Sequence, residues 1–341
     1  MKKIMKILFV YSGLHRSHIG FAKVINADLW YYHHYFRNHN LPKVFKSLIN
    51  GIFLPSHYDI YICEGGSPMI PVAIKKLISN KKIINIVLVA DPTFMMIKYT
   101  PKEMRKVYTR VVNYSHKLAG KYVDGAIAVS KFAKESVKEI FNIPVKVVYP
   151  YIVRERYLSL AKIKPNLDGT TIISIGDNRP SKGMDILIDA FKIVKKEFND
   201  AKLIIIGKGY DKWKYTVDIS DINIVGYAKD LTPYFRLASL YVQASRVDAF
   251  SVATIESLRA GVPAIVTEMT GAKEVIEELN KKFIRKVDAN DIAEGIMYYF
   301  DLPYSKKVKL SIKARKLSAM FNEEKMCKLF RYNFYSLLEE L

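Results

Sequence analysis

The chain has 341 residues, half of them hydrophobic, and its 54 Lys and Arg against 33 Asp and Glu give a formal net charge of +21. This length exceeds what one core usually organises, and the hydrophobic content is sufficient for two packed cores. The composition argues against three classes of protein. Two cysteines do not indicate a disulfide framework or a metal cluster, and no apolar run has the length of a bilayer span.

Strand candidates alternate with helical stretches along the whole chain, which predicts two parallel-sheet α/β domains. The candidate strands lie at 4–10, 59–63, 83–90, 124–129 and 145–149 in the first half, and at 171–176, 202–207, 222–225, 239–243 and 263–267 in the second. We expect one domain over residues 1–155, a second over 156–320 and a C-terminal amphipathic helix over 321–341.

The basic excess lies in the first half of the chain. Residues 1–165 hold 27 Lys and Arg against nine Asp and Glu, a net charge of +18, whereas residues 166–341 have a net charge of +3. Basic residues are interleaved with aromatic and apolar ones in Leu29 to Tyr58, with its aromatic run from Trp30, and in Phe94 to Tyr122. This pattern favours an anionic membrane surface as partner. Nucleic acid is the less favoured partner, because no nucleic-acid motif is present, and a merely solvated basic surface is the third interpretation.

A basic loop follows the predicted strand at 171–176. The helix after this loop has one apolar face, formed by Met184, Leu187, Ile188, Phe191, Val194 and Phe198. Lys182 therefore lies beside a helix N-terminus. An ammonium group and a positive helix end together can neutralise the charge that builds up on a departing nucleoside diphosphate. A solvated loop lysine is the alternative.

Two carboxylates eight residues apart mark the segment from Ala244 to Ala264. Asp248 lies in a short loop, Phe250 follows two residues later, and Glu256 falls inside the helix that the loop opens. Backbone N–H groups at a helix start can hold a diphosphate, and a carboxylate can accept hydrogen bonds from two neighbouring hydroxyls. The segment therefore suits a sugar nucleotide. An ordinary amphipathic helix with two solvated acids is the alternative.

Taken together, these segments resemble the retaining glycosyltransferases of family four, which have the GT-B fold. The resemblance covers roughly residues 124–280. It is carried by Gly176, Lys182 and Gly183, by the strand that ends in Gly207-Lys208-Gly209, by the segment from Ala244 to Glu256, and by shorter pieces at 127–130, 148–150, 223–227 and 261–263. It implies an α/β architecture with two Rossmann-like parallel-sheet domains facing a cleft, and a C-terminal helix that crosses back to the first domain.

The chain departs from the family pattern at several positions. The family arginine after the strand glycine is Asp177 here, and Arg179 is the nearest substitute. The first acid is Asp248 rather than Glu, and Ala249 and Ser251 stand where the family has glycine. The identity of the donor sugar is therefore not carried over.

The resemblance implies a retaining transferase that needs no metal or cofactor and moves a sugar from a nucleotide donor to an acceptor hydroxyl. Lys182, with Arg179 as a helper, would stabilise the leaving diphosphate, Asp248 would hold donor-sugar hydroxyls, and Glu256 would bind the ribose. The further donor-binding candidates are Gly176, Tyr227, Ala249, Phe250 and Ser251. An epimerase or hydrolase of nucleotide sugars and a non-catalytic nucleotide-sugar-binding protein are the alternatives.

Acceptor chemistry is expected at the carboxyl ends of the first-domain strands. Asp91 is a candidate for orienting an acceptor hydroxyl, and a turn-forming Asp-Pro is the equal alternative. Gly13 and Gly20, in the expected loop between the first strand and the first helix, are candidates for close approach to the donor phosphates. The acceptor is expected to be lipid-linked or on a membrane surface, with the protein in the cytoplasm, peripheral on the inner face of the membrane.

Overall fold

The computed structural model describes residues 5–13, 15–32, 43–100, 107–210 and 221–341. The chain divides into two compact units, one formed by Met1–Tyr151 and Glu323–Leu341 and the other by Ile152–Asn322. Each unit is built on a six-stranded sheet whose strand pairs are all parallel. The predicted two-domain Rossmann-like α/β class is therefore confirmed.

The first unit has the strand order β2-β1-β3-β4-β5-β6. Its strands are β1 Ile7–Tyr11, β2 Asp28–Tyr31, β3 Ile60–Glu64, β4 Ile84–Val89, β5 Gly125–Ala128 and β6 Val145–Val147, and its first six helices are α1 Arg16–Val24, α2 Lys43–Phe53, α3 Met69–Ile78, α4 Thr93–Tyr99, α5 Val107–Gly120 and α6 Lys131–Lys138. The central strands β3, β4 and β5 are almost continuously apolar and buried, as expected for a parallel sheet covered on both faces.

The second unit has the strand order β12-β11-β10-β7-β8-β9. Its strands are β7 Thr171–Ile175, β8 Lys202–Ile206, β9 Ile222–Gly226, β10 Leu240–Gln243, β11 Ala264–Thr267 and β12 Ile284–Arg285, and its helices are α7 Arg154–Ala161, α8 Met184–Glu197, α9 Thr232–Leu237, α10 Val252–Ala260, α11 Lys273–Leu279, α12 Ala289–Phe300 and α13 Tyr304–Ser318. The strand order reverses between β7 and β10. Such a switch point is where open α/β sheets bind their ligands, at the carboxyl ends of the strands.

The C-terminal helix α14, Glu323–Glu340, belongs to the first unit and packs against α1. Phe330 of α14 stacks on Phe21 of α1 with ring centroids 4.3 Å apart. The chain leaves the first unit after Tyr151, close to the boundary expected at 155/156.

Two edge strands were not predicted from the sequence. β2 is a four-residue strand that is half-buried or exposed along its length, and β12 has two residues. Neither has the run of buried apolar residues that marks a central strand, so the hydrophobic pattern is too weak to locate them.

Candidate functional site

The loops after β7 and β10 meet at the switch point of the second sheet. The N–H of Arg246, in the loop after β10, donates to the carbonyl of Ser181, in the loop after β7 (2.8 Å). The two segments that carry the sequence motifs therefore lie side by side at the carboxyl edge of the strands.

Lys182 and Asp248 form an ion pair at this edge. Lys182 Nζ lies 2.6 Å from Asp248 Oδ2, and the side chains are 21% and 10% exposed. Lys182 ends the short 3-10 turn Pro180–Lys182 that leads into α8. The ammonium group is therefore held by a mostly buried carboxylate and keeps a partly open side, as a group that exchanges partners with a ligand requires.

Asp248 is held by further hydrogen bonds. Its Oδ1 accepts from the N–H of Phe250 (3.2 Å), and its own N–H donates to the carbonyl of Met269 (3.0 Å). The N–H of Phe250, one of the donor-binding candidates, is thus engaged by the Asp248 carboxylate in this structure.

Gly183 allows the two loops to approach. Its φ is +64°, and a Cβ at this position would lie 1.9 Å from the carbonyl oxygen of Ala244. A side chain would therefore clash with the backbone of the loop after β10 in a conformation that L residues rarely adopt. The glycine of the Lys-Gly motif keeps Lys182 within reach of Asp248.

Arg246 ties the same loop to the first turn of α8. Its guanidinium donates to both carboxylate oxygens of Asp185, at 2.8 and 2.6 Å, and to the carbonyl of Pro180 (2.9 Å). Burial alone would raise the pKa of the Asp185 carboxyl, but the hydrogen bonds and charge of Arg246 hold that pKa below its ordinary value. Sequence reasoning missed this clamp, because no motif or spacing connects residues 61 positions apart.

Ser251 begins helix α10 rather than presenting a free hydroxyl. Its Oγ accepts from the N–H of Thr254 (3.3 Å) and donates to Gln243 Oε1 (2.9 Å), and Gln243 Nε2 donates to Ser245 Oγ (2.5 Å). The neighbouring Ala249 and Phe250 are buried. Ser251 is therefore part of a buried hydrogen-bond network that fixes the start of the helix, and Ala249 is buried beside it.

Glu256 lies inside α10 and is 5% exposed. Its Oε1 accepts from Arg156 Nη1 (2.8 Å), and Arg156 also donates to the carbonyl of Lys229 (3.2 Å). Burial raises the pKa of the Glu256 carboxyl, and the charge and hydrogen bond of Arg156 oppose that rise. Arg156, on helix α7, is a second partner that the motif did not reveal.

Gly176 lies where the carboxyl ends of β7 and β8 approach each other closely. A Cβ at Gly207 would lie 1.7 Å from the carbonyl oxygen of Gly176, which also accepts from the hydroxyl of buried Tyr210 (2.9 Å). Tyr210, whose pKa is raised by its burial, was not predicted as a site residue.

The two remaining donor-binding candidates of this unit are exposed. Arg179 Nε donates to both oxygens of Asp177, at 2.8 and 2.9 Å. Burial raises the pKa of the Asp177 carboxyl, but Arg179 more than offsets this and holds the pKa below its ordinary value. Asp177, which replaces the family arginine, therefore forms an ion pair with Arg179, the nearest substitute for that arginine. Tyr227 is open to solvent, and Lys208 Nζ lies 4.6 Å from the centroid of its ring.

The glycine candidates of the first unit have different surroundings. Gly20 lies within helix α1 and not in the preceding loop, so its predicted position is wrong. A Cβ there would lie 2.0 Å from the Tyr151 hydroxyl and 3.2 Å from Cys327 Sγ, which shows that this glycine serves packing. Gly13 does lie in the loop, and a Cβ there would have no atom within 4 Å.

Both carboxylate oxygens of Asp91 accept hydrogen bonds from nearby backbone N–H groups. Oδ2 accepts from the N–H of Gly66 (3.0 Å) and Oδ1 from the N–H of Thr93 (3.1 Å) at the start of α4. A Cβ at Gly65, whose φ is +74°, would lie 2.2 Å from Asp91 Oδ2. These contacts match the turn-forming alternative.

A buried pair that the motifs did not indicate lies at the carboxyl end of β3. His18 Nδ1 is hydrogen-bonded to Glu64 Oε1, and Glu64 Oε2 accepts from the N–H of Ser12 (3.3 Å). The strand-end position of Glu64 was the available signal, but nothing in the sequence pairs it with a residue of α1.

Two features of the described residues bear on cofactors and membranes. They contain no group of three or more His, Cys, Asp or Glu able to hold a metal ion, and no helix among them is long and apolar enough to cross a bilayer. Residues 33–42 and 101–106, which contribute to the predicted membrane-contacting stretches, lie outside the described part of the chain.

Comparison with known proteins agrees with this architecture. Residues 158–317 match the family model of glycosyl transferases group 1. An uncharacterized glycosyltransferase of Methanocaldococcus jannaschii, MJ1178, is 29% identical over 218 residues, which are 62% of this chain and 59% of that protein. The chain spans about half to three-fifths of the length of the first curated relatives it matches.

Solved structures match over nearly the whole chain. Anabaena Alr3699/HepE in complex with UDP and glucose has a TM-score of 0.70 and 16% identity, covering 99% of this chain and 100% of that one. Sucrose-phosphate synthase from Thermosynechococcus elongatus has a TM-score of 0.76 and 12% identity, with 99% and 100% covered. At these identities the likeness concerns the fold, which is the two-domain GT-B fold, and residues 158–317 are similar to the glycosyl transferases of group 1.

Proposed function

We propose that this protein transfers a glycosyl group from a nucleotide-sugar donor to an acceptor hydroxyl, with retention of configuration at the anomeric carbon. The observation that carries the proposal is the 2.6 Å Lys182–Asp248 ion pair at the carboxyl edge of the second sheet. The Anabaena structure with UDP and glucose supports the donor class by analogy.

The ion pair suits departure of a diphosphate. In glycosyl transfer the bond between the sugar C1 and the diphosphate oxygen breaks, a bond to the acceptor oxygen forms, and the acceptor proton leaves with the nucleoside diphosphate. Lys182 would exchange its bond to Asp248 for the diphosphate oxygens, where negative charge develops, while Asp248 would accept from donor-sugar hydroxyls. A positioned cation in a partly dry site is effective because it needs no reorganisation during the reaction.

Glu256 would bind the ribose of the donor. Its carboxylate accepts one hydrogen bond from Arg156, and a carboxylate has lone pairs for further donors such as two ribose hydroxyls. Because burial raises its pKa, the charged form of Glu256 depends on Arg156, which makes Arg156 a positioning residue in this proposal.

A lipid-linked or membrane-surface acceptor fits the distribution of charge. The first 165 residues have a net charge of +18, which would hold the acceptor-side unit at an anionic surface. We place the protein in the cytoplasm at the inner face of the membrane on the same ground.

Turnover of the donor tests this proposal. We expect one sugar nucleotide from a panel to raise the melting temperature. Lys182→Ala should lower the transfer rate about 10²- to 10³-fold, the usual cost of losing a group that meets developing charge, and Glu256→Gln should lower the rate at limiting donor because it weakens the hold on the ribose. Lys192→Ala and Glu197→Gln, exposed on α8, are matched controls and should retain full activity.

Three other outcomes would overturn the proposal. Donor turnover that proceeds without an acceptor would indicate an epimerase or hydrolase. Donor binding with no turnover would indicate a binding protein. Near-normal rates in both site variants would place the reaction elsewhere.

In this proposal the positive charge that stabilises the leaving diphosphate comes from the protein and not from a metal ion. Since Lys182 and the adjoining start of α8 supply positive charge beside the diphosphate position, we expect excess chelator to leave the transfer rate unchanged. A rate that falls on chelation and returns with a divalent ion would contradict this prediction.

A further inference from the structure

Helices α2, α3 and α5 cover one face of the first sheet. They connect β2, β3, β4 and β5 in the order in which these strands advance across the sheet, and right-handed crossovers place such helices on the same face. α3 packs against both α2 and α5. The contact with α2 is close, since a Cβ at Gly51 would lie 2.8 Å from Ile74 Cβ.

The outer side of α5 carries a stripe of apolar residues that are exposed to solvent. Val107, Val111, Tyr114 and Leu118 recur at helical spacing and are between 41% and 77% exposed. The residues of α5 that do reach the core, such as His116 and Ala119, lie on its other side. An amphipathic surface helix normally directs its apolar side inward, so this helix has a second apolar side available for a partner.

The neighbouring helices α2 and α3 also carry exposed apolar residues. Exposed large apolar residues on α2 and at the end of α3 are Phe45, Leu48, Ile52, Phe53, Leu77 and Ile78. We call these six residues and the α5 stripe the apolar face. Exposed large apolar residues gathered on neighbouring helices of one sheet face are typical of an interaction site.

Two basic side chains lie beside the apolar stripe. The surrounding sequence is also basic, since residues 92–123 contain seven Lys and Arg and one Glu. Arg110 and Lys117 lie on α5 beside the stripe, and both are exposed.

A pocket opens between α4 and α5 at the border of the stripe. It has a volume of about 380 Å³ and is lined by Arg110, Lys117, Asn113 and Tyr114 among others. Asn113 Nδ2 donates to Met96 O and Thr100 Oγ1, both at 3.0 Å, which ties α5 to α4 and defines the wall of the pocket. Two cations beside an aromatic and an amide suit a phosphate on a small polar group.

We propose that the apolar face docks on an anionic lipid bilayer and that the α4–α5 pocket takes the headgroup of an anionic phospholipid. The stripe enters the boundary of the acyl chains while Arg110 and Lys117 meet lipid phosphates, which is how an amphipathic helix binds in the plane of a membrane. This inference rests on the proposed function in so far as a membrane-borne acceptor gives the docking its purpose.

Charge and apolar surface together favour an anionic bilayer over a second copy of the chain or a nucleic acid. A second copy of the chain would bring the same basic face, and its +18 first half would repel it. A nucleic acid would meet the cations but would leave the Val107, Val111 and Leu118 side chains without an apolar partner. An anionic bilayer satisfies both the charge and the apolar stripe.

Vesicle sedimentation with matched variants tests the docking. The full-length protein is spun with vesicles of phosphatidylglycerol and phosphatidylcholine, and with phosphatidylcholine alone. We expect tight binding to the anionic vesicles only, a loss of at least about tenfold in partition coefficient for the double variant Val111→Ser with Tyr114→Ser, and a similar loss for Arg110→Glu with Lys117→Glu.

The second unit provides controls with the same chemical change. Tyr304→Ser with Ile312→Ser removes two exposed apolar side chains, and Lys306→Glu with Lys309→Glu reverses two exposed charges on α13. Both should stay within twofold of the unaltered protein. Equal losses in site and control variants would show that net charge alone drives binding and would overturn the proposed face.

Further readouts separate this inference from the proposed function. Thermal stabilisation by the sugar nucleotide should be the same in all four variants, because none of them alters the donor site. Failure to bind anionic vesicles with donor binding intact overturns the docking and leaves the proposed function standing. Dimers that dissociate in the Val111/Tyr114 variant, or RNA binding that outcompetes vesicles, would assign the face to those partners instead.

Discussion

At Gly183 the backbone conformation and the neighbouring chain both exclude a side chain. The φ of +64° and the 1.9 Å that would separate an added Cβ from Ala244 O predict that Gly183→Ala destabilises the second unit by about 1–3 kcal/mol or more, the range typical of strained backbone. Urea denaturation measures this change. Gly13→Ala is the control, because a methyl there meets nothing within 4 Å, and its free energy of unfolding should stay within about 0.5 kcal/mol. Equal effects at both positions would contradict the packing argument.

Glu256 and Arg156 predict a pH dependence of stability. Burial raises the pKa of Glu256 in the folded protein above its ordinary 4.5, so the folded state binds the proton more tightly than the unfolded state. The free energy of unfolding contributed by this group therefore falls as pH rises from about 4.5 through the folded pKa, by about 1.4 kcal/mol per unit of upward shift. Arg156→Gln removes the opposing charge and should deepen that fall, which denaturation at pH 5 and pH 8 would detect.

Arg179→Gln is the contrasting variant for this experiment. Arg179 holds the pKa of Asp177 below its ordinary value, so its stabilising contribution exists at neutral pH and is lost on acidification. The two arginine variants should therefore change stability in different pH ranges. Arg156→Gln should make stability fall more steeply above pH 4.5, and Arg179→Gln should make stability less sensitive to acidification. The same change of profile in both variants would contradict the assigned pKa shifts.

The sequence indicated the residues of the candidate site better than it indicated the side chains that pair with them. The spacing within two short segments indicated Lys182, Asp248 and Glu256, because loop and helix start lie within about ten residues of each other in the chain. Arg246 pairs with Asp185 and Arg156 with Glu256 across 61 and 100 positions. Such pairs depend on how the sheet brings the loops together, and no local pattern records that.

At the scale of elements, the Arg246–Asp185 clamp connects the first turn of α8 to the loop after β10. We expect Arg246→Met and Asp185→Asn to show a coupling energy of about 1 kcal/mol in a double-mutant cycle, since Asp185 is half exposed and solvent screens the pair. Because Lys182 and Asp248 lie on the two clamped segments, each variant should also slow transfer by about tenfold. The cycle is measured by urea denaturation, and a slower rate with no coupling energy would assign the effect to another contact.

Central strands and helices were predictable because burial on both faces leaves a continuous apolar run. The same rule fails where an element is short or does not face the core. β2 and β12 are edge strands, and Gly20 lies in α1, where Tyr151 leaves no space for a side chain, rather than in a turn. On α5 the periodicity of Val107, Val111, Tyr114 and Leu118 would ordinarily be assigned to the core, yet these residues point outward.

At the scale of the whole molecule, charge and apolar surface act together on the first unit. Residues 1–165 carry a net charge of +18 and residues 166–341 a net charge of +3, so attraction to an anionic surface acts mainly on the first half of the chain. The apolar face lies in the same half.

The two contributions to membrane attachment should separate with salt. Screening shortens from about 10 Å at 0.1 M to about 3 Å at 1 M ionic strength, so the partition coefficient on phosphatidylglycerol vesicles should fall steeply over this range and then level off at a residual value set by apolar burial. The Val111→Ser with Tyr114→Ser variant should lose the residual binding at 1 M and keep the salt-dependent part, whereas Arg110→Glu with Lys117→Glu should reduce the salt dependence and keep the residual binding at 1 M. Both curves are measured by vesicle sedimentation across a sodium chloride series. If binding vanishes at high salt in the unaltered protein, the apolar stripe does not enter the bilayer and only surface attraction remains.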